Sequence, residues 1–146
     1  MPLTGEYAPS TADWARKQAE RFEASGGSKS ATIGGKPIVV MTSVGARTGK
    51  LRKTALMRVQ HGGAYVVVAS KGGSAKDPLW VHNLRANPLV ELQDGAIKGD
   101  YIARELDGAE YTSCWDRAVE IFPNYAGYQR KTKRRIPLFL LEPTDA

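Results

Sequence analysis

Apolar residues fall along this chain in short blocks of differing period, and each period predicts a different element. Between residues 10 and 24, Trp14, Ala15, Ala19 and Phe22 recur at the spacing of one helical face. Ser10 offers an N-cap with Asp13 three positions on, and Gly26-Gly27 offers a stop. Residues 25–36, SGGSKSATIGGK, are rich in Gly and Ser and read as a connector. The predicted organisation is an N-terminal helix and connector over 1–35, followed by one compact domain over 36–146.

Within that domain PIVVMTS is an apolar, β-branched run, LRKTALMRV alternates, and AYVVVAS is apolar throughout and so buried on both faces. The basic turn between Gly45 and Gly49 would join the first two strands and QHGG the next two, giving an antiparallel meander. Asp77 is placed to cap a short helix with Pro78 at its first position, and Asn87-Pro88 ends it. LVELQ and AIKGDYIARELD, turning at Asp94-Gly95, read as another hairpin. Asp107 and Glu110 form a capping-box pattern for a helix that Pro123 breaks, and IPLFLLEP closes the chain as a strand. About six strands, mainly antiparallel, with three or four helices predict an α+β domain built on an antiparallel sheet or a small barrel.

Composition narrows the class. The chain has 146 residues, 42% hydrophobic and 25% charged, and no apolar run approaches a membrane-spanning length. The expected location is cytoplasmic, since the first residues lack the pattern of a secretory signal. A single cysteine, Cys114, permits no internal disulfide, and no metal site is expected. The net charge of +6 favours an anionic partner. Nucleic acid is not favoured, because the cations cluster at turns and no RNA-recognition pattern of strand aromatics is present.

Three constellations carry chemistry. In GARTGKLRK, successive amides of a Gly-bounded turn and the side chains of Arg47, Lys50, Arg52 and Lys53 could grip an anion, or form a solvated hairpin end. A second cationic turn, Ser70-Lys71-Gly72-Gly73, precedes Pro78, Leu79 and Trp80 at a helix start, where glycines permit close approach and Trp80 offers a flat face. In FPNYAGYQRKTKRR, Tyr125 and Tyr128 share one helical face, and the cations that follow read equally as a solvated run. His61, His82 and Cys114 lack the neighbours that catalysis or metal binding would need, so reactive groups would come from a cofactor.

Taken in order, TSVGARTGKLRKTAL, VVASKGGSAKDPLWVHNLRANPLVELQ and FPNYAGYQRKTKRRIPLFLLEP resemble the deazaflavin (coenzyme F-420)-dependent nitroreductase and quinone reductase family of actinobacteria, over roughly residues 36–143. The resemblance implies a split β-barrel of the flavin-reductase type. It implies an oxidoreductase that carries hydride from reduced coenzyme F-420, an 8-hydroxy-5-deazaflavin, to a quinone, nitroaromatic or similar acceptor. By position, Arg47, Thr48, Lys50, Arg52 and Thr54 would hold the coenzyme's phosphodiester and oligoglutamate tail, continued by Lys71, Gly72 and Gly73. Ser70, Pro78, Leu79 and Trp80 would line the ring and phosphate region, with Tyr125, Tyr128 and Ser70 assisting proton delivery. Phe122 and Met57 stand where quinone- and nitroimidazole-reducing members carry tyrosines, which predicts weak nitroimidazole reduction. The alternatives are a coenzyme F-420 storage protein without turnover and an FMN-dependent reductase. Trp14 and Phe22 would allow peripheral contact with the inner face of an anionic membrane, and the assembly is expected as monomer or homodimer.

Overall fold

The computed structural model describes residues 3, 5–33 and 35–144; Gly34 of the predicted connector lies outside them. The chain runs α1 (Asp13–Ala24), β1 (Thr32–Ile33), β2 (Lys36–Val44), β3 (Leu51–Met57), β4 (Gln60–His61) and β5 (Ala64–Val68). A 3-10 turn at Lys71–Gly73 leads to α2 (Leu79–Ala86), β6 (Leu89–Asp94), β7 (Ile97–Glu105), α3 (Gly108–Ile121), α4 (Asn124–Lys131) and β8 (Leu138–Pro143). Among the described residues eight strands replace the six expected, because β1 and β4 have two residues each and are too short to carry a period.

The strands form one curled antiparallel sheet in the order β3-β2-β6-β7-β8-β5-β4, with β1 beside the start of β2. Its two faces are both covered, and alternate residues of each central strand serve different cores. Ile38 and Val40 of β2 pack with Ala19, Phe22, Cys114, Ala118 and Tyr125 from α1, α3 and α4. Val39 and Met41 pack instead with Trp80, Val81 and Leu84 of α2. Burial on both faces is why these strands read as unbroken apolar runs.

The basic turn does join β2 to β3, and Gly62-Gly63, both at positive φ, join β4 to β5. The meander does not continue: β5 pairs with β8, Val67 opposite Phe139, and not with β3. All five residues of β5 are buried, and a central position between β8 and β4 supplies that burial. The outer edge of β3 is left free of a ladder, and the sheet is split there.

Three predicted caps form differently. α1 begins at Asp13, and the Ser10 hydroxyl accepts the Ala12 amide at 3.2 Å. Asp77 does not cap α2, because its carboxylate is taken by Arg134 at 2.8 Å; Pro78, extended at ψ 151°, occupies the cap position. Asp107 precedes α3 without a side-chain bond, and Glu110 is drawn to Arg104 by two hydrogen bonds. Phe22 is 1% exposed and so is unavailable to a membrane; Trp14, 72% exposed, remains.

Candidate active site

The split between β3 and β5 opens into a cleft of about 710 Å³. One wall is residues 52–57 of β3; the opposite wall is Val68 and Ser70 at the end of β5, continued by Lys71 and Gly72. Pro78, Leu79, Trp80 and Asn83 come from the start of α2, and Phe122, Tyr125 and Tyr128 close the inner end. Ser10, Ala12, Trp14 and Ile33 from the N-terminal region reach the same space. Residues spread over more than a hundred positions of sequence thus meet in one concavity, the form expected of a ligand site.

Most of the sequence-predicted residues converge here. Ser70, Tyr125 and Tyr128 all line the cleft, as do Arg52, Thr54, Lys71, Gly72, Pro78, Leu79 and Trp80. Arg47, Thr48 and Lys50 do not; they stand exposed on the turn that leads into β3. The Thr48 hydroxyl accepts the Lys50 amide at 3.2 Å, and Lys50 Nζ lies 3.6 Å from Glu6. Gly73 is buried behind the cleft: a Cβ there would meet the Tyr128 carbonyl at 2.7 Å, so glycine is what allows this turn to rest on α4.

Charge is distributed unevenly around the cleft. Lys53 is matched by Glu23 on α1 at 2.5 Å. Arg47, Arg52 and Lys71 have no carboxylate partner among the described residues. Lys71 also holds a left-handed φ of 45°, a conformation that non-glycine side chains rarely adopt and that must be held by its surroundings. Ala55, Leu56, Met57, Phe122 and Trp80 make part of the lining apolar, and the Trp80 ring meets Phe139 edge-on at 5.9 Å.

Two residues that sequence reasoning missed hold this arrangement. Arg134 donates from Nε to the Ser74 carbonyl at 2.8 Å and from Nη2 to the Ser70 carbonyl at 2.8 Å. Its Nη1 reaches the Ala69 carbonyl at 3.2 Å and Asp77 at 2.8 Å, so one guanidinium fastens the whole 69–77 loop. Within KTKRR nothing distinguishes it from solvated neighbours. Asn83, 8% exposed, accepts the Ala46 amide at 2.9 Å and so ties the basic turn to α2. A polar residue three positions after Trp80, on the same helical face, was the available signal.

The phenols are set in an aromatic cluster. Tyr125 is 5% exposed, with its ring 4.9 Å from Phe122 and 6.3 Å from Tyr128. Burial, and next the neighbouring Tyr128, push the Tyr125 phenol far above its usual range, so it stays protonated at neutral pH. Neither its hydroxyl nor those of Tyr128 and Ser70 has a hydrogen-bond partner among the described residues. Cys114, outside the cleft, is buried and its thiol is raised by desolvation, which fits a core residue and not a nucleophile. Among the described residues no group of three metal-ligating side chains occurs.

The sequence profile of the F420H(2)-dependent quinone reductase family matches residues 14–143. The chain belongs to that family. An F420H(2)-dependent quinone reductase of Mycobacterium tuberculosis (strain ATCC 25618 / H37Rv) is 37% identical over 111 residues, covering 74% of each chain. A solved F420-H2 dependent reductase is 51% identical, with a TM-score of 0.69 over 73% of this chain and 94% of that one. Another solved structure, a domain-swapped dimer, is 47% identical with a TM-score of 0.72, covering 91% of this chain and all of the other. More remote structures at 18% and 13% identity, with TM-scores of 0.58 and 0.52, share only the fold, a split β-barrel of the flavin-reductase type.

The donor set suits the family's coenzyme. A ligand with an anionic tail and a flat ring needs unpaired cations beside an apolar slot, and Arg52 and Lys71 stand at such a slot.

Proposed function

We propose that this chain reduces a quinone with coenzyme F-420 in the cleft between β3 and β5. The observation that carries the reading is the union, in one cavity, of unpaired cations, an apolar slot and unpartnered hydroxyls. When bound, the reduced coenzyme supplies the hydride. Arg52, Lys71 and the exposed Arg47 would pair with its anionic tail, while Pro78, Leu79 and Trp80 would exclude water along the ring. Quinone reduction also requires a proton, and Tyr125, held neutral by burial, would donate a hydrogen bond to the acceptor oxygen, assisted by Tyr128 and Ser70 of the same cleft.

In an anaerobic assay, reduced F-420 should be consumed only when protein and menadione are both present, and reduced FMN should support no comparable rate. Equal or better turnover with FMN would move the reading to a flavin enzyme. Tyr125→Phe is expected to lower kcat for menadione roughly tenfold, at the low end of general-acid effects, with little change in coenzyme affinity. Wild-type kcat in that variant would remove Tyr125 from the chemistry. Phe122 and Met57 line the cleft without a hydroxyl, so nitroimidazole reduction is expected to be weak.

The same reading includes peripheral membrane contact and a homodimer. No helix among the described residues is long and apolar enough to cross a membrane. Trp14, however, stands exposed at the cleft rim of a cationic chain, where a quinone could enter from an anionic bilayer. Trp14→Ala should reduce binding to anionic vesicles several-fold, and equal binding would refute the contact. The homodimer is supported by the likeness to the domain-swapped dimer over 91% of this chain. Sedimentation as a monomer at every concentration tested would exclude it.

A further inference from the structure

A second cavity, of about 480 Å³, lies outside the cleft, where the end of α2, the link between β7 and α3, and the segment ahead of β8 converge. Three guanidinium groups and three carboxylates line it. Four of these six charges are paired with one another. Arg85 holds Glu105 through two bonds of 2.9 and 2.8 Å, and Arg134 holds Asp77 at 2.8 Å. Two charges remain, one of each sign. Arg135 has no carboxylate partner among the described residues, and Asp107 makes neither a capping bond nor an ion pair there. Although they share the cavity, they stand farther apart than the 4.0 Å of an ion pair.

Both groups are held in place. The Arg135 guanidinium lies 3.5 Å from the centre of the Tyr111 ring, which in turn stacks on Trp115 at 6.3 Å. The Tyr111 hydroxyl is fixed as well, donating to the Ile136 carbonyl at 2.5 Å. A guanidinium laid over a ring keeps edge N–H groups for a further partner. The backbone around Asp107 is pinned on either side: Leu106 N–H donates to the Leu138 carbonyl at 2.9 Å, and the Asp107 carbonyl accepts Tyr111 N–H at 3.0 Å.

We propose that this cavity is a second binding site, for a small zwitterion of the free amino-acid type, whose carboxylate pairs with Arg135 and whose ammonium pairs with Asp107. The balance of charge decides the class. With three cations and three carboxylates the cavity has no net charge. A simple anion or cation would satisfy one of the unmet groups and face the other as a like charge, whereas a zwitterion satisfies both. Leu106, Tyr111 and Pro137 offer apolar contact to its carbon skeleton.

The least exposed charged side chains of the cavity, Arg134 at 15% and Asp77 at 22%, are the pair that fastens the 69–77 loop of the cleft. A ligand held by Arg135 favours the state in which the adjoining Arg134 is in place and the loop is preformed for the coenzyme. Such coupling is reciprocal, so F-420 should tighten the zwitterion by the same factor. The coupling rests on the coenzyme reading above; the site itself does not.

Saturation-transfer NMR on the coenzyme-free protein, with the common L-amino acids at millimolar concentration, tests the site. At least one should receive magnetisation from the protein, and acetate and methylamine, each half of a zwitterion, should receive far less. Arg135→Gln and Asp107→Asn, both at exposed positions, should each abolish the transfer with Tm nearly unaltered. Arg52→Ala with Lys71→Ala, which alters the cleft, should leave it intact. The best binder should then tighten F-420 about fivefold in a fluorescence titration, at the low end of such couplings, and Arg135→Gln should lose that effect. Transfer to no amino acid overturns the proposal, as does transfer that survives both charge substitutions or disappears in the cleft variant. Binding that leaves F-420 affinity unchanged overturns the coupling. A wild type that binds the amino acid but no F-420 defeats the coenzyme reading, and the coupling with it, while the site stands.

Discussion

Arg134→Ala is expected to cost both stability and coenzyme binding, though Arg134 is not among the residues that line the cleft. Its side chain is 15% exposed and its partner Asp77 22%, and alanine would leave that carboxylate and the carbonyls of Ala69 and Ser74 without their donor, and the Ser70 carbonyl with the Gly73 N–H alone. Breaking a largely buried, hydrogen-bonded ion pair costs about 3 kcal/mol, enough to lower Tm by on the order of 10 °C in a chain of this size. The loop it fastens carries Ser70 and the left-handed Lys71, so a loosened loop offers the coenzyme fewer preformed contacts. Affinity for F-420, measured well below the melting range by coenzyme fluorescence, should fall about tenfold or more. Arg134→Lys should recover part of the stability but little of the affinity, since an ammonium cannot reach several carbonyls in one plane. Wild-type Tm and affinity in Arg134→Ala would show that the loop holds itself.

The double variant Arg52→Ala with Lys71→Ala is expected to have the larger effect on binding alone. Both side chains line the cleft without a carboxylate partner among the described residues, so their removal orphans nothing within the fold. Each charge-assisted hydrogen bond to an anionic group contributes about 1.5 kcal/mol at the low end suited to partly solvated cations. The pair therefore contributes about 3 kcal/mol, close to a hundredfold in Kd. Tm should be nearly unaltered. The affinity of the wild type should weaken with added salt and that of the variant much less, because fewer charge contacts remain to be screened. Equal affinity in the two proteins would place the anionic tail elsewhere.

The lining of the cleft was more legible in the sequence than the strand order of the sheet. Ser70, Lys71, Gly72, Pro78 and Trp80 lie within eleven positions, so one loop and one helix start bring them together with little help from distant structure. Tyr125 and Tyr128 share a helical face and therefore point into the same space. What escaped is long-range. The partner of β5 is β8, some seventy residues away, and no local pattern distinguishes that pairing from one with β3. Arg134 reaches back sixty-four residues to the Ser70 carbonyl from a run of cations that all look alike in sequence. Capping patterns failed where a stronger partner existed, as Arg134 for Asp77 and Arg104 for Glu110. Phe22 repeats the lesson: periodicity placed it on an apolar face, but only packing shows that the face is turned to the core.

The central claim is that the cleft does more than hold coenzyme: it directs a hydride to a quinone. Single-turnover mixing tests this most directly, with protein preloaded with reduced F-420 driven against excess menadione while absorbance of the oxidised coenzyme is followed. Reoxidation should be many-fold faster than for free reduced coenzyme and should saturate with menadione concentration. A rate equal to or below that of the free coenzyme would contradict the account and describe a protein that stores F-420 without using it.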